Sequence, residues 1–157
     1  MIAYTPSPEN DVAVFVWWQT MMNSGDIHDY PVELRTLSCF YESLQAPTTL
    51  LTESDEQGLW FCFWFTPNSL PFATINLWIR QDYRQKKAAI KAVHVAISAA
   101  FQEHATLVAY CGDPKISALY EGFGLGRHHP DIYSETHQIA VFSLTREQYH
   151  QIEKRSA

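Results

Sequence analysis

The sequence predicts an α/β fold: a mixed, mostly antiparallel central sheet flanked by helices on both faces. Three observations predict it. Leu59-Trp60-Phe61-Cys62-Phe63-Trp64-Phe65 is apolar at every position, as an interior strand buried on both faces requires. A long alanine-rich segment from about Gln85 to Glu103 carries no proline or glycine and reads as a helix. Thr106-Leu107-Val108-Ala109-Tyr110-Cys111 follows it directly, giving the strand–helix–strand order of a parallel crossover.

The remaining elements follow from local signals. After Pro6 and Pro8, residues Asp11 to Met22 have helical spacing, with Asn10 or Asp11 as the cap, and Asn23-Ser24-Gly25-Asp26 ends the helix. A second helix is expected from Pro31 to about Leu44, with Leu34, Leu37, Cys39, Phe40, Tyr41 and Leu44 as its stripe. Thr48–Glu53 reads as a strand, Ser54–Gly58 as a turn, Thr66–Ser69 as another, and Ala73–Arg80 as a further strand. In the long helix Ile90, Val93, Ile97 and Phe101 form one stripe, and its alanines let it lie close to a sheet. Gly112-Asp113-Pro114 opens a short helix to about Glu121. Strands near Leu125–Tyr133 and Gln138–Leu144 close the sheet. Thr145-Arg146-Glu147-Gln148 has the capping-box pattern and starts a last helix to about Lys154.

At 157 residues, without repeat, linker or low-complexity tract, the chain is expected to be a single domain over 1–157. Hydrophobic residues make up 46% and charged residues 18%, a globular balance. The formal charge of −6 argues against nucleic acid, which needs a basic face, and suits an amine-bearing partner. Cys39, Cys62 and Cys111 are odd in number, include no CxxC and sit in apolar stretches, so reduced buried thiols are expected. No apolar run approaches the ~20 residues of a membrane helix, and Met1–Pro6 has no signal-peptide pattern, so a cytoplasmic protein is expected. His128-His129 would point to opposite faces of a strand, so no metal site is expected there.

Two segments resemble the GNAT N-acetyltransferases. Ile79-Arg80-Gln81-Asp82-Tyr83-Arg84-Gln85-Lys86-Lys87-Ala88-Ala89 is similar to that family's strand-to-helix loop, V-x-P-x-Y/W-R-G-K-G-I-G/A. Tyr83, Arg84, Lys86 and Ala89 fit, while Gln85 and Lys87 stand where glycine is usual. Asp113-Pro114-Lys115-Ile116-Ser117-Ala118-Leu119-Tyr120-Glu121-Gly122-Phe123-Gly124-Leu125 resembles N-x-x-A-x-x-L-Y-E-K-L-G-F, with Leu119, Tyr120, Glu121 and Gly124 in register. The resemblance is detailed over 73–144; before that, only the element order agrees.

The resemblance implies an acyl-CoA-dependent N-acyltransferase that moves an acetyl group from acetyl-CoA to a small amine or protein amino group. Arg84, Gln85, Lys86, Lys87, Ala88 and Ala89 would take the pyrophosphate at a helix N-terminus, where free N–H groups and the helix dipole favour anions. The strand ending at Ile79 would splay from the one starting near Thr106, freeing backbone groups of Leu77 and Ile79 for the pantetheine and acyl carbonyl. Asp113 falls at the family's asparagine. Tyr120 would protonate the leaving thiolate. The loop Ser24–Tyr30 would border the acceptor, with Asp26, His28, Asp29 and Glu53 as candidate acceptor residues. No base is evident; those four and Asp55 are candidates, as is a water chain.

Plainer alternatives stand beside each assignment. Lys86-Lys87 also fits a solvated first helical turn, Tyr120 a core aromatic, and Ser24–Tyr30 a polar surface loop. The aromatic-rich, glycine-poor character also fits a GNAT-like structural or interaction protein without catalysis, such as a phage virion or head-assembly accessory protein. A homodimer or a protein partner remains open, and a subset of the tryptophans would then be exposed.

Overall fold

The computed structural model describes residues 1–30, 35–68, 71–133 and 138–156. Among the described residues, seven strands and five α-helices follow one another as β1 (Ile2–Ala3), α1 (Pro8–Ser24), α2 (Leu37–Ser43), β2 (Thr49–Asp55), β3 (Gly58–Pro67), β4 (Phe72–Ile79), α3 (Lys87–Glu103), β5 (Thr106–Cys111), α4 (Pro114–Gly122), β6 (Gly126–Tyr133), β7 (Gln138–Thr145) and α5 (Arg146–Ser156). The sheet is mixed and mostly antiparallel, with strand order β1-β2-β3-β4-β5-β7-β6. This is the predicted α/β class. The chain divides into two compact units, Met1–Trp64 with Leu77–Ala96, and Phe65–Asn76 with Ile97–Ala157.

In the first unit, α1 starts earlier than its pattern suggests. Ser7, not Asn10 or Asp11, is the cap: its hydroxyl accepts the Asn10 N–H at 3.2 Å, and Pro8 occupies the first turn, where its missing N–H costs nothing. Gly25, at φ +81°, ends the helix. Likewise α2 begins only at Leu37, because Thr36 caps it by accepting the Cys39 N–H at 3.2 Å; Pro31 and Leu34 lie outside the described residues. The two-residue β1 is too short to show a pattern; it pairs antiparallel with β2 through Ile2↔Thr52 and Ala3↔Leu51.

The core of this unit is built on Trp17. Its indole meets Phe40 at 4.8 Å, Trp64 at 5.5 Å and Trp78 at 5.8 Å between centroids. Val14, Met21, Ile27, Leu44, Leu50 and Cys62 fill in around it. Each such side chain contributes about 1.5–3 kcal/mol on leaving water. β3 is buried at every residue from Trp60 to Phe65, as an interior strand should be.

In the second unit, β4 and β5 pair in parallel from Phe72↔Thr106 to Ile75↔Ala109, the expected crossover. β5 pairs antiparallel with β7 along its whole length, Thr106↔Thr145 to Cys111↔Ala140. β6 pairs antiparallel with β7 and bulges between His128 and Ile132. The capping box at Thr145 is complete: its hydroxyl accepts the Gln148 N–H at 3.2 Å, and Gln148 Oε1 accepts the Thr145 N–H at 3.0 Å. Arg146 donates to the carbonyls of Phe101 at 2.7 Å and His104 at 3.0 Å, satisfying acceptors at the end of α3.

The buried stripe of α3 differs from expectation only at Ile90. Ala89, Ala92, Val93, Ala96, Ile97, Ala100 and Phe101 are buried, while Ile90 is 48% exposed. Ala89, Ala92, Ala96 and Ala100 take inward positions, and Ile90 falls to the flank. The helix also starts at Lys87 and not at Gln85, because Gln81–Tyr83 forms a 3₁₀ turn.

Candidate active site

The loop between β4 and α3 is fixed by side chains. The Arg80 guanidinium donates to Asp55 Oδ2 at 2.5 Å and Oδ1 at 3.2 Å, and to Asp82 Oδ1 at 2.7 Å and Oδ2 at 3.0 Å. The Tyr83 hydroxyl donates to Asp55 Oδ2 at 2.9 Å. The Tyr83 ring stacks on Trp60, with centroids 4.2 Å apart and planes 11° apart. Above it lies the Lys86 ammonium, 4.3 Å from the centroid, a cation–π contact. Gln85, Lys86, Lys87 and Ala88 are exposed at the start of α3, and Ala89 is buried. No non-glycine residue among those described has positive φ, so Gln85 and Lys87 adopt their backbone without strain.

Asp55 accepts four hydrogen bonds, the last from the Gln57 N–H at 2.9 Å. The hydrogen bonds from Arg80, foremost, hold its carboxyl down to about 2. Such a group takes up a proton poorly, so its arrangement is that of an anchor and not of a base.

Arg84 is held from within. Its Nε donates to the Ile79 carbonyl at 2.8 Å, and its Nη2 lies 3.1 Å from Asp26 Oδ2. Asp26 Oδ2 also accepts the Trp78 indole N–H at 2.9 Å. A residue expected at the phosphates and one expected at the acceptor are therefore partners. His28 is exposed, with Nδ1 3.3 Å from Arg35 Nη1. Glu53 Oε1 is 2.6 Å from the Met1 amino group. Asp29 ends the 3₁₀ turn that Asp26 begins, and its side chain lies outside the described residues. Leu77 and Ile79 follow the last β4–β5 pair, Ile75↔Ala109, on a strand that continues to Ile79.

In the second unit, Asp113 caps α4, accepting the Lys115 N–H at 2.8 Å, and Pro114 fills the first turn. Tyr120 is 3% exposed and packs on Phe142 at 5.7 Å. Burial first, then the neighbouring Cys111, pushes its phenol well above the ordinary tyrosine range. Cys111 and Cys62 are buried, and Cys39 is half-buried. Sequence reasoning missed Arg80, Asp82, Trp60 and Trp78; the only local signal was the acid two residues after Arg80.

The fold has solved relatives. A spermidine N-acetyltransferase from Vibrio cholerae, in complex with CoA and spermine, superposes with a TM-score of 0.69 at 13% identity, covering 95% of this chain and 97% of that one. The chain has the GNAT acetyltransferase fold. A GNAT-family acetyltransferase from Staphylococcus aureus Mu50 matches with a TM-score of 0.66 at 10% identity, over 92% of this chain and 98% of that one. The smu.2055 protein of Streptococcus mutans UA159 gives 0.69 at 8% identity, over 92% and 99%. At these identities the likeness to the GNAT acetyltransferases is one of fold. No family model matches the sequence, and no curated protein matches it. The phage-protein reading finds no support among these relatives. No helix is long and apolar enough to cross a membrane among the described residues.

Proposed function

We propose that this protein is an acyl-CoA-dependent N-acyltransferase that moves an acetyl group from acetyl-CoA to a small amine or protein amino group. The observation that carries the reading is the clamped loop at the head of α3, which presents Lys86 and Lys87 at a helix start, where the helix dipole favours an anion. Cations at that end of a helix are unfavourable unless an anion joins them, and a pyrophosphate is such an anion. The Vibrio cholerae enzyme of the same fold, which holds CoA and spermine, adds support for a CoA cosubstrate and an amine acceptor. The charge of −6 suits a cationic acceptor.

In the proposed reaction the amine nitrogen attacks the thioester carbonyl carbon. A C–N bond forms, the C–S bond breaks, and the amine proton leaves to water or a carboxylate. Backbone groups of Leu77 and Ile79 would hold the pantetheine and polarise the carbonyl. Gln85 to Ala89 would take the pyrophosphate, with Arg84 behind them bracing Ile79. Asp113, at the family's asparagine position, would be a further cofactor-binding residue. Tyr120 would supply the proton to the leaving sulfur. Among the candidate acceptor residues, Asp26 and Glu53 have their carboxylates already engaged, which leaves His28 and Asp29 as the ones to test first.

Thermal unfolding in the presence of acetyl-CoA and desulfo-CoA tests the reading. Occupancy at about 100 times Kd stabilises by about 2.7 kcal/mol. No shift at millimolar ligand would sink it. A second reading, a GNAT-like interaction protein, is favoured by the outward face of α1. There Val12, Phe15, Val16 and Met22 are 62%, 39%, 50% and 43% exposed. Self-association without ligand binding would favour that alternative.

A further inference from the structure

Asp55 stands at the end of β2, where Glu56 and Gln57 turn the chain into β3. A carboxylate offers about four acceptor sites. Asp55 fills them with Gln57 N–H, two Arg80 donors and the Tyr83 hydroxyl. Arg80 spends its remaining edge on Asp82 and its Nη1 also reaches the Leu59 carbonyl at 3.4 Å. Two carboxylates thus surround one guanidinium, so Arg80 has no charge to spare for a phosphate.

The constraint runs outward from there. Tyr83 is pinned at its hydroxyl by Asp55 and on one face by Trp60, and its ring seats the Lys86 ammonium. Gln81 stands where the family loop has proline, so the backbone does not preset its own φ. Side chains supply the missing stiffness.

We propose that Asp55 is a positioning residue for cofactor binding: it fixes the loop from Arg80 to Lys86 so that Lys86 and the head of α3 meet the phosphates of acyl-CoA. This rests on the acyl-CoA reading above. Ordering the loop in advance lowers the entropy that binding must otherwise supply. Asp55 acts through Tyr83 and Arg80 and touches no cofactor atom.

The test compares wild type, Asp55→Asn, Asp55→Glu and Tyr83→Phe. Acetyl-CoA affinity is read by titration calorimetry, kcat and KM by thiol release, and amide exchange over 80–88 without ligand. Asp55→Asn should raise Kd and KM for acetyl-CoA about tenfold, with kcat falling far less, and should speed exchange in that segment. Tyr83→Phe, which removes one hydroxyl and keeps the ring, should raise Kd about threefold. Asp55→Glu should recover part of the loss. If wild type binds acetyl-CoA and Asp55→Asn and Tyr83→Phe both bind it equally well, with unchanged exchange, the assignment to Asp55 fails alone. If wild type binds neither acetyl-CoA nor desulfo-CoA, the acyl-CoA reading falls and takes this assignment with it.

Discussion

Arg84 Nη2 and Asp26 Oδ2 stand 3.1 Å apart, with side chains 21% and 13% exposed, and the same Asp26 oxygen accepts the Trp78 indole N–H. The pair ties the loop after α1 to the loop before α3. Removing one member leaves the other with an uncompensated charge in a half-dry setting. Asp26→Ala should therefore cost about 2–4 kcal/mol in urea unfolding. Asp26→Asn can still accept from Trp78 and should cost about 1 kcal/mol. In a double-mutant cycle with Arg84→Gln, the coupling should exceed about 0.5 kcal/mol. Additive losses would show that the pair is only an incidental neighbour.

Tyr120 leads to a pH prediction. Burial, and then Cys111, raises its phenol above the ordinary value of 10.0, so it stays protonated through the working range. A proton donor that never ionises there produces no alkaline fall in rate. kcat at saturating acetyl-CoA should thus show no Tyr120 limb up to pH about 10. The same shift makes the phenol a weaker acid, so Tyr120→Phe should lower kcat only toward the small end of acid catalysis, about 10²-fold. An alkaline limb below pH 10 that Tyr120→Phe abolishes would contradict the shift.

Asp55 makes the complementary case in acid. Its carboxyl is lowered from 3.8 to about 2 by Arg80 first, with Gln57 and Tyr83 adding to the effect. A depressed folded-state value means that the stabilisation is complete above the unfolded value. It is lost as pH falls through the folded one. The urea midpoint of wild type should therefore drop as pH falls from about 4 toward 2. Asp55→Asn, less stable at neutral pH, should lose less over that window. Parallel curves for the two proteins would show that Asp55 contributes nothing to the acid transition.

Much of this fold was legible because its signals are local. The unbroken apolar run of β3, the Thr145–Gln148 capping box and the Asp113 cap each rest on residues a few positions apart. The inward face of α1 was not legible, because Val12, Val14, Phe15, Val16, Trp17 and Met21 surround the helix with apolar groups and only Val14, Trp17 and Met21 are buried. The loop clamp was not legible for a different reason. Asp55 and Arg80 are 25 residues apart, and no periodicity links a hairpin turn to a loop that far along the chain. The family pattern singled out this loop, but the residues that fix it, Arg80 and Asp82, occupy positions the pattern leaves open.

Gly124, in the segment that carries Tyr120, provides a stability test of the second unit. It sits at φ +90°, and a Cβ added there would meet Ile152 Cδ1 at 2.3 Å. Two costs follow for Gly124→Ala. The left-handed backbone costs an L-residue about 1–2 kcal/mol. The contact adds a further, smaller cost, because Ile152 Cδ1 is the end of a flexible side chain and can rotate away at the expense of its own packing. The total should be about 1–3 kcal/mol by urea unfolding. Ile152→Val removes Cδ1 and with it the clash but not the backbone strain. Gly124→Ala should therefore cost less in the Ile152→Val background than in wild type, with about 1–2 kcal/mol remaining. Equal costs in both backgrounds would mean that Ile152 does not pack over this glycine. A cost near zero in both would mean that the turn after α4 does not need its left-handed residue.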